Sequence, residues 1–66
     1  MRITINGETR DIPENTTVAD LIDELGLSGA ICAAEVNKSV VPRDKRAETR
    51  LSDGDSVEIV TLVGGG

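Results

Sequence analysis

Alternating apolar and polar residues open the chain and predict two paired β-strands. In MRITI (residues 1–5), every second residue is apolar, which is typical of a half-buried strand. Asn6 and Gly7 follow directly, and Asn-Gly indicates a tight hairpin because both residue types tolerate positive φ angles. The return strand is ETRDI (residues 8–12), and Pro13 ends it.

The last apolar stretch, SVEIVTLV (residues 56–63), predicts another strand with two different faces. Its faces comprise Val57, Ile59 and Thr61 on one side and Glu58, Val60 and Leu62 on the other. One helix can cover only one face of a sheet, so we expect Val60 and Leu62 to be exposed. Exposed apolar residues grouped together indicate a partner surface. The alternative is that a loop covers them.

Between these strands, NTTVADLIDELG (residues 15–26) has the period of an amphipathic helix. The apolar stripe consists of Val18, Leu21, Ile22 and Leu25. Thr17 can cap the N-terminus, with Asp20 three residues later in a variant of the capping box. Gly26 lies where a left-handed C-terminal residue is expected. The acidic residues of this segment are more typical of a solvated helix surface than of paired catalytic acids.

The middle of the chain predicts one buried strand and one short strand. AICAAEVN (residues 30–37) is mostly apolar and contains Cys32. No Lys, Arg or His adjoins Cys32 in the sequence, so we interpret it as a small core residue and not as a reactive thiol. NKSVVPR (residues 37–43) predicts a tight turn and a short strand that Pro42 ends.

The segment that follows is charged and predicts surface structure. DKRAETR (residues 44–50) indicates a loop or one short helical turn. Its basic residues Lys45, Arg46 and Arg50 form either a contact patch or a solvated loop. LSDGD (residues 51–55) predicts a turn at Gly54, preceded by a buried Leu51.

This order of elements predicts an α+β fold. Two strands, a helix, a strand, a short strand and a final strand fit a mixed sheet with one helix packed across one face. The pattern shows no repeat and no linker. We therefore expect one domain over residues 1–63, followed by a flexible glycine tail at residues 64–66.

Composition argues against a self-contained enzyme. The 66 residues include no His, Trp, Tyr or Phe and one Cys, so the commonest general base and metal ligand are missing and no metal site is expected. The net charge of −5 disfavours nucleic acid. No apolar stretch reaches the roughly 20 residues of a membrane span, and no signal peptide is evident. We expect a cytoplasmic protein that binds neither membrane nor nucleic acid.

The sequence finishes with Gly64, Gly65 and Gly66 directly after an apolar run. At an average usage of about 7%, three specified glycines arise by chance on the order of once in a few thousand. A flexible tail or a cloning scar is the alternative. A chain end without side chains can enter a narrow channel of another protein and deliver the Gly66 carboxylate. Activation as an acyl-adenylate would be the work of that partner.

Several segments together resemble the ThiS family, the sulfur carriers of thiamine biosynthesis. They are the Asn-Gly hairpin, TTVADLIDELG, AAEVNKSVVPR, LSDGDSVEIVTLV and the terminal Gly-Gly. The resemblance covers essentially the whole chain. It implies a ubiquitin-like β-grasp fold with four to five strands in a mixed sheet and one main helix across one face.

The resemblance also implies a function and partners. Gly66 would be adenylated by a ThiF-like enzyme that uses ATP and magnesium, while this chain binds no cofactor itself. Sulfur from a cysteine desulfurase would then give a C-terminal thiocarboxylate, from which a ThiG-like thiazole synthase takes sulfur. The chain would be a monomer when alone. The expected partner-binding residues are Gly65, Gly64, Val63, Leu62 and Val60.

Two alternatives stay open. The first is a sulfur carrier for molybdopterin synthesis, which uses the same chemistry. The second is a non-covalent β-grasp interaction module with an idle tail. The chain also departs from the family pattern, which needs two terminal glycines where this chain has three; Gly64 makes the tail more flexible and costlier to order.

Overall fold

A mixed β-sheet with one helix on one face makes up the part of the chain described by the computed structural model, residues 1–62. The elements are β1 (Arg2–Ile5), β2 (Glu8–Asp11), α1 (Val18–Glu24), β3 (Cys32–Val36), β4 (Ser39–Val40), a 3₁₀ turn (Arg43–Lys45) and β5 (Ser56–Thr61). This order confirms the predicted α+β fold. The predicted site residues Val63, Gly64, Gly65 and Gly66 lie outside the described residues.

The sheet places the last strand at its centre. The strand order is β2-β1-β5-β3-β4, in which β1 and β5 run parallel and the other neighbours antiparallel. Parallel neighbours need a crossover connection, and α1 lies within the connection between β1 and β5. The strand that leads toward the glycine tail is therefore paired with β3 along most of its length and with β1 at Ser56 and Val57.

The hairpin turn confirms the prediction and has a second role. Asn6 and Gly7 have φ angles of 50° and 85°, the positive values that the tight turn requires. The Asn6 side-chain amide also donates to the Ile59 carbonyl at 3.2 Å and accepts from the Ile59 N–H at 2.8 Å. This pair of bonds continues the contact between β1 and β5 beyond the last backbone bond of β1.

The short helix α1 has well-defined ends. The Thr17 hydroxyl accepts from the Asp20 N–H and the Asp20 carboxylate accepts from the Thr17 N–H, both at 3.1 Å, so the predicted capping box is complete. At the other end Gly26 has a φ of 75°, as predicted. A helix of seven residues is too short to be stable alone, so these caps and its packing hold it.

The core lies between α1 and the inner face of the sheet. Its residues are Ile3, Ile5, Val18, Leu21, Ile22, Cys32, Ala34, Val41, Leu51, Val57 and Ile59. The prediction for residues 30–37 was wrong in one respect, because only Cys32 and Ala34 of this strand are fully buried. Alternate residues such as Ala33 point to the face that α1 does not cover.

The Asn6 bonds generate a stability prediction. Asn6→Gly keeps the positive φ but removes both side-chain bonds, so we expect the free energy of unfolding to fall by about 1–2 kcal/mol. The matched control is Asn15→Gly, since Asn15 is exposed and has a φ of 67°. Urea unfolding of both variants separates the lost bonds from the flexibility that glycine adds to the unfolded chain. Equal losses in the two variants would contradict the role of Asn6.

Candidate partner-binding face

The outer face of the sheet, opposite α1, carries an exposed apolar cluster. Ile31, Val60 and Leu62 are 65%, 55% and 54% exposed. We call these three residues and Ala33 the apolar patch. Large apolar side chains at this exposure on adjacent strands are a feature of interaction surfaces.

The strand register brings the patch together. Ala33 lies directly opposite Val60, and the Leu62 N–H donates to the Ile31 carbonyl at 2.8 Å. Residues that face each other across antiparallel strands have Cβ atoms about 4.5–5.5 Å apart. The four side chains therefore form one continuous surface on β5 and the start of β3.

The predicted exposure of Val60 and Leu62 is confirmed. Sequence reasoning missed Ile31 and Ala33, because it treated residues 30–37 as wholly buried. Their assignment follows once Cys32 and Ala34 are known to face α1, since alternate residues of a strand point to opposite faces. Alternation around Cys32 was the available signal, and the run of small apolar residues obscured it.

Acidic residues border the patch along the same face. Glu35 lies directly opposite Glu58, and Val40 lies on the far side of Glu35. Like charges opposite each other repel, and within residues 1–62 neither carboxylate forms an ion pair. The outer face thus combines an apolar centre with unneutralised negative charge, which suits a partner with basic residues around an apolar contact.

The patch lies next to the glycine tail along the chain. Leu62 is the last described residue, and Val63, Gly64, Gly65 and Gly66 follow it in sequence. Of the residues predicted to bind a partner, the structure therefore describes Val60 and Leu62, and brings them together. A partner that receives the tail is within reach of the patch.

Cys32 is buried, which confirms its prediction as a core residue. The structure nevertheless brings a basic group beside it. The guanidinium of Arg46 donates to the Cys32 carbonyl at 2.6 Å, and its second terminal nitrogen lies 3.8 Å from the Cys32 Sγ. Sequence adjacency did not reveal this neighbour, because the two residues are 14 positions apart. Arg46 was expected on a solvated loop or a contact patch, and it is partly buried instead.

Two of the three acidic residues of α1 have structural contacts, and all three are exposed. Asp20 belongs to the capping box, and Asp23 accepts a hydrogen bond from the Ser28 hydroxyl at 2.8 Å. Within residues 1–62 there is no group of three or more His, Cys, Asp or Glu that could hold a metal ion. The described helix is also not long and apolar enough to cross a membrane.

Fold and outer face together define a ubiquitin-like β-grasp domain. A crystal structure of the thiamine biosynthesis protein ThiS from Geobacter metallireducens has this fold and superposes with a TM-score of 0.84, at 32% identity and with all of both chains covered. The ThiS family model matches residues 3–66. The chain belongs to the ThiS family.

Relatives of two lengths match the chain. The sulfur carrier protein ThiS of Bacillus subtilis is 34% identical over 65 residues, which are 97% of this chain and 98% of that protein. A thiazole synthase of Paramagnetospirillum magneticum is 41% identical over 66 residues, which are 100% of this chain but 20% of that protein. The chain thus spans about a fifth of the length of this thiazole synthase.

Proposed function

We propose that the chain is a sulfur carrier of thiamine biosynthesis that works through a thiocarboxylate at Gly66. The observation that carries this proposal is the family match over residues 3–66, which includes the glycine tail. The near full-length match to a protein named as a sulfur carrier supports it. In this proposal the chain is a co-substrate, and the enzymes are its partners.

The proposed chemistry uses one group of this chain, the carboxylate of Gly66. A carboxylate is unreactive toward sulfur nucleophiles until one oxygen becomes part of a leaving group. Attack of the carboxylate on the α-phosphate of ATP, bound with magnesium by the activating partner, gives an acyl-adenylate and pyrophosphate. The terminal sulfur of a persulfide that originates in a cysteine desulfurase then attacks the acyl carbon, and AMP leaves, which gives an acyl disulfide. A thiol of the partner system cleaves this S–S bond by thiol–disulfide exchange and is oxidised to a disulfide in turn. The product is a thiocarboxylate that a thiazole synthase can use.

Glycine suits the proposed tail for a steric reason. Side chains on the last residues would widen the segment, whereas Gly65 and Gly66 expose only backbone atoms to the walls of a narrow channel. Backbone N–H and C=O groups then offer the partner its hydrogen bonds. Gly64 extends this slender segment by one residue.

The apolar patch supplies the proposed docking surface. Val60 and Leu62 precede the tail directly, so a partner that holds the tail also covers the patch. Burial of apolar area stabilises such a complex by about 25 cal/mol per Å² before the costs of association. The negative charge of Glu35 and Glu58 favours partners with basic residues around the contact.

The longer relatives support a thiazole synthase as the sulfur acceptor. A polypeptide named thiazole synthase contains a segment that matches this whole chain. Joining carrier and acceptor in one polypeptide raises their effective concentration without any new contact. We propose that the present chain meets an equivalent synthase as its partner.

Intact-mass spectrometry tests the function directly. The chain is incubated with the adenylating enzyme of thiamine biosynthesis, ATP, magnesium and a sulfur donor. We expect a sulfur-for-oxygen mass increase that fragmentation assigns to Gly66, and none when ATP is omitted. A parallel incubation with the activating enzyme of molybdopterin synthesis tests the alternative carrier. Loading by that enzyme alone, or by neither enzyme, would overturn the proposal.

The position of the terminal carboxylate generates a second prediction. One Ala added after Gly66 moves the carboxylate by about 3.3–3.6 Å, whereas reacting atoms must approach to about 3–3.5 Å with aligned orbitals. We therefore expect loss of ATP–pyrophosphate exchange with the activating enzyme.

Two controls accompany this variant. Urea unfolding should be unchanged, since the added residue lies beyond all core residues. Deletion of Gly66 should impair exchange comparably, unless the spare Gly64 lets the tail regain its register. Full exchange by the Ala-extended protein would contradict a threaded tail.

A third prediction concerns the apolar patch. Val60→Asp places a charge in a surface that becomes desolvated on binding, so we expect the Kd for the activating enzyme to rise at least about tenfold. The domain should stay folded because Val60 is 55% exposed. Calorimetric titration measures the affinity, and circular dichroism checks the fold.

Thr9→Asp is the matched control for Val60→Asp. Thr9 is exposed on β2, at the edge of the sheet away from β3, and the substitution adds the same charge. It should leave the Kd within about twofold, since rim charges chiefly change association rates. Equal weakening by the two variants would show a general charge effect, and unfolding of Val60→Asp would place Val60 in the core.

A further inference from the structure

On the edge of β3 that faces β4, one backbone carbonyl has no strand to pair with. One edge of β3 pairs with β5, while the other faces β4, which has two residues. The Val41 N–H continues this second edge by donating to the Ala34 carbonyl at 2.9 Å. Carbonyls of alternate residues point to the same edge. The Cys32 carbonyl therefore lies beyond the end of β4, without a strand to pair with.

Arg46 supplies the missing donor. Its guanidinium donates to the Cys32 carbonyl at 2.6 Å and lies 3.8 Å from the Sγ of the same residue. Hydrogen bonds from a charged donor are shorter and about twice as strong as neutral ones. The Arg46 Nε is buried and has no partner within residues 1–62. The Nε end of the guanidinium is thus removed from water.

The backbone of Arg46 is held from a different direction. Its carbonyl accepts from the Ala19 N–H in the first turn of α1 at 3.1 Å. Ala19 has one of the helix N–H groups that lack a partner within the helix. Arg46 therefore connects the start of α1 to the start of β3, by its main chain at one end and its side chain at the other.

The opposite edge of the same segment holds the end of β5. Cys32 lies opposite Thr61, and the adjacent Ile31 carbonyl accepts from the Leu62 N–H at 2.8 Å. Ile31 is 65% exposed, so its own side chain does little to fix this part of the strand. Besides its pairing with β5, the start of β3 is held by the buried Cys32 side chain and by the Arg46 bond to the Cys32 carbonyl.

We propose that Arg46 is a positioning residue for the sulfur-carrier reaction. By fixing the start of β3, it holds Thr61 and Leu62 in the register from which residues 63–66 continue into the activating enzyme. A held strand end leaves fewer residues to order when the tail binds, which lowers the entropy cost of binding. The effect on the carrier reaction rests on the proposed function. The effect on the end of β5 rests on the hydrogen bonds alone.

The experiment compares Arg46→Ala and Arg46→Lys with the control Arg43→Ala. Arg43 is exposed and, like Arg46, lines a shallow cavity beside α1, and its loss changes the net charge equally. Two measurements are made. Amide hydrogen exchange compares Leu62 with Leu21 in α1, and ATP–pyrophosphate exchange gives the KM and the kcat for the carrier.

We expect Arg46→Ala to raise the amide hydrogen-exchange rate of Leu62 and the KM by about tenfold each. A tenfold change corresponds to the lower end of the free energy of one charge-assisted hydrogen bond. The kcat should change little, because the tail reaches the same geometry once bound. Arg46→Lys retains one charged donor and should recover part of both effects. Arg43→Ala should match the wild type in both measurements.

Three results would overturn the inference. Unchanged Leu62 exchange in Arg46→Ala would show that the bond does not hold the strand end. Equal acceleration of Leu62 and Leu21 would show a global loss of stability and no positioning. A KM that rises equally in Arg43→Ala would show a charge effect. If the wild type itself supports no ATP–pyrophosphate exchange, the proposed function fails. The amide hydrogen exchange of Leu62 still tests the Arg46 bond separately.

Discussion

Coverage of one sheet face by one short helix is the constraint on which the rest of the described structure depends. Within residues 1–62, α1 has seven residues and five strands lie beneath it. Every buried side chain of the sheet must therefore point toward α1, which accounts for the alternation in β1, β3 and β5. The same constraint leaves the outer face without a helix over it. Only some of the side chains on that face are polar, and the apolar patch makes up the rest of its centre.

The position of β5 turns this constraint into a proposal about function. β5 pairs with β1 at its start and with β3 up to Thr61, so the end of β5 is held through β3. The apolar patch lies at that end, on the uncovered face. In the proposed function, recognition and chemistry are divided: the folded domain and its apolar patch would bind the partner, and the glycine tail would carry the reacting group.

Loops and edges complete the structure with side chains where strands are too short. Asn6 extends the contact between β1 and β5, and Arg46 closes the edge of β3 that β4 leaves open. A domain of this size buries only about 60% of the surface that its unfolded chain exposes. Individual bonds of this kind therefore matter, because the core of a domain this small rarely supplies more than about 3–5 kcal/mol of net stability.

Local sequence determined the elements themselves. The Asn6-Gly7 turn, the Thr17 capping box, the Gly26 end of α1 and the alternation in β5 all depend on residues within a few positions of one another, so their patterns were readable directly. The order of these elements predicted the α+β fold, and the family resemblance implied its β-grasp arrangement. Only tertiary structure decided which residues meet across strands: Ile31 and Ala33 join Val60 and Leu62 through register. The contact between Arg46 and Cys32 likewise depends on how a loop folds back over a strand edge, and no local pattern encodes the distance between them.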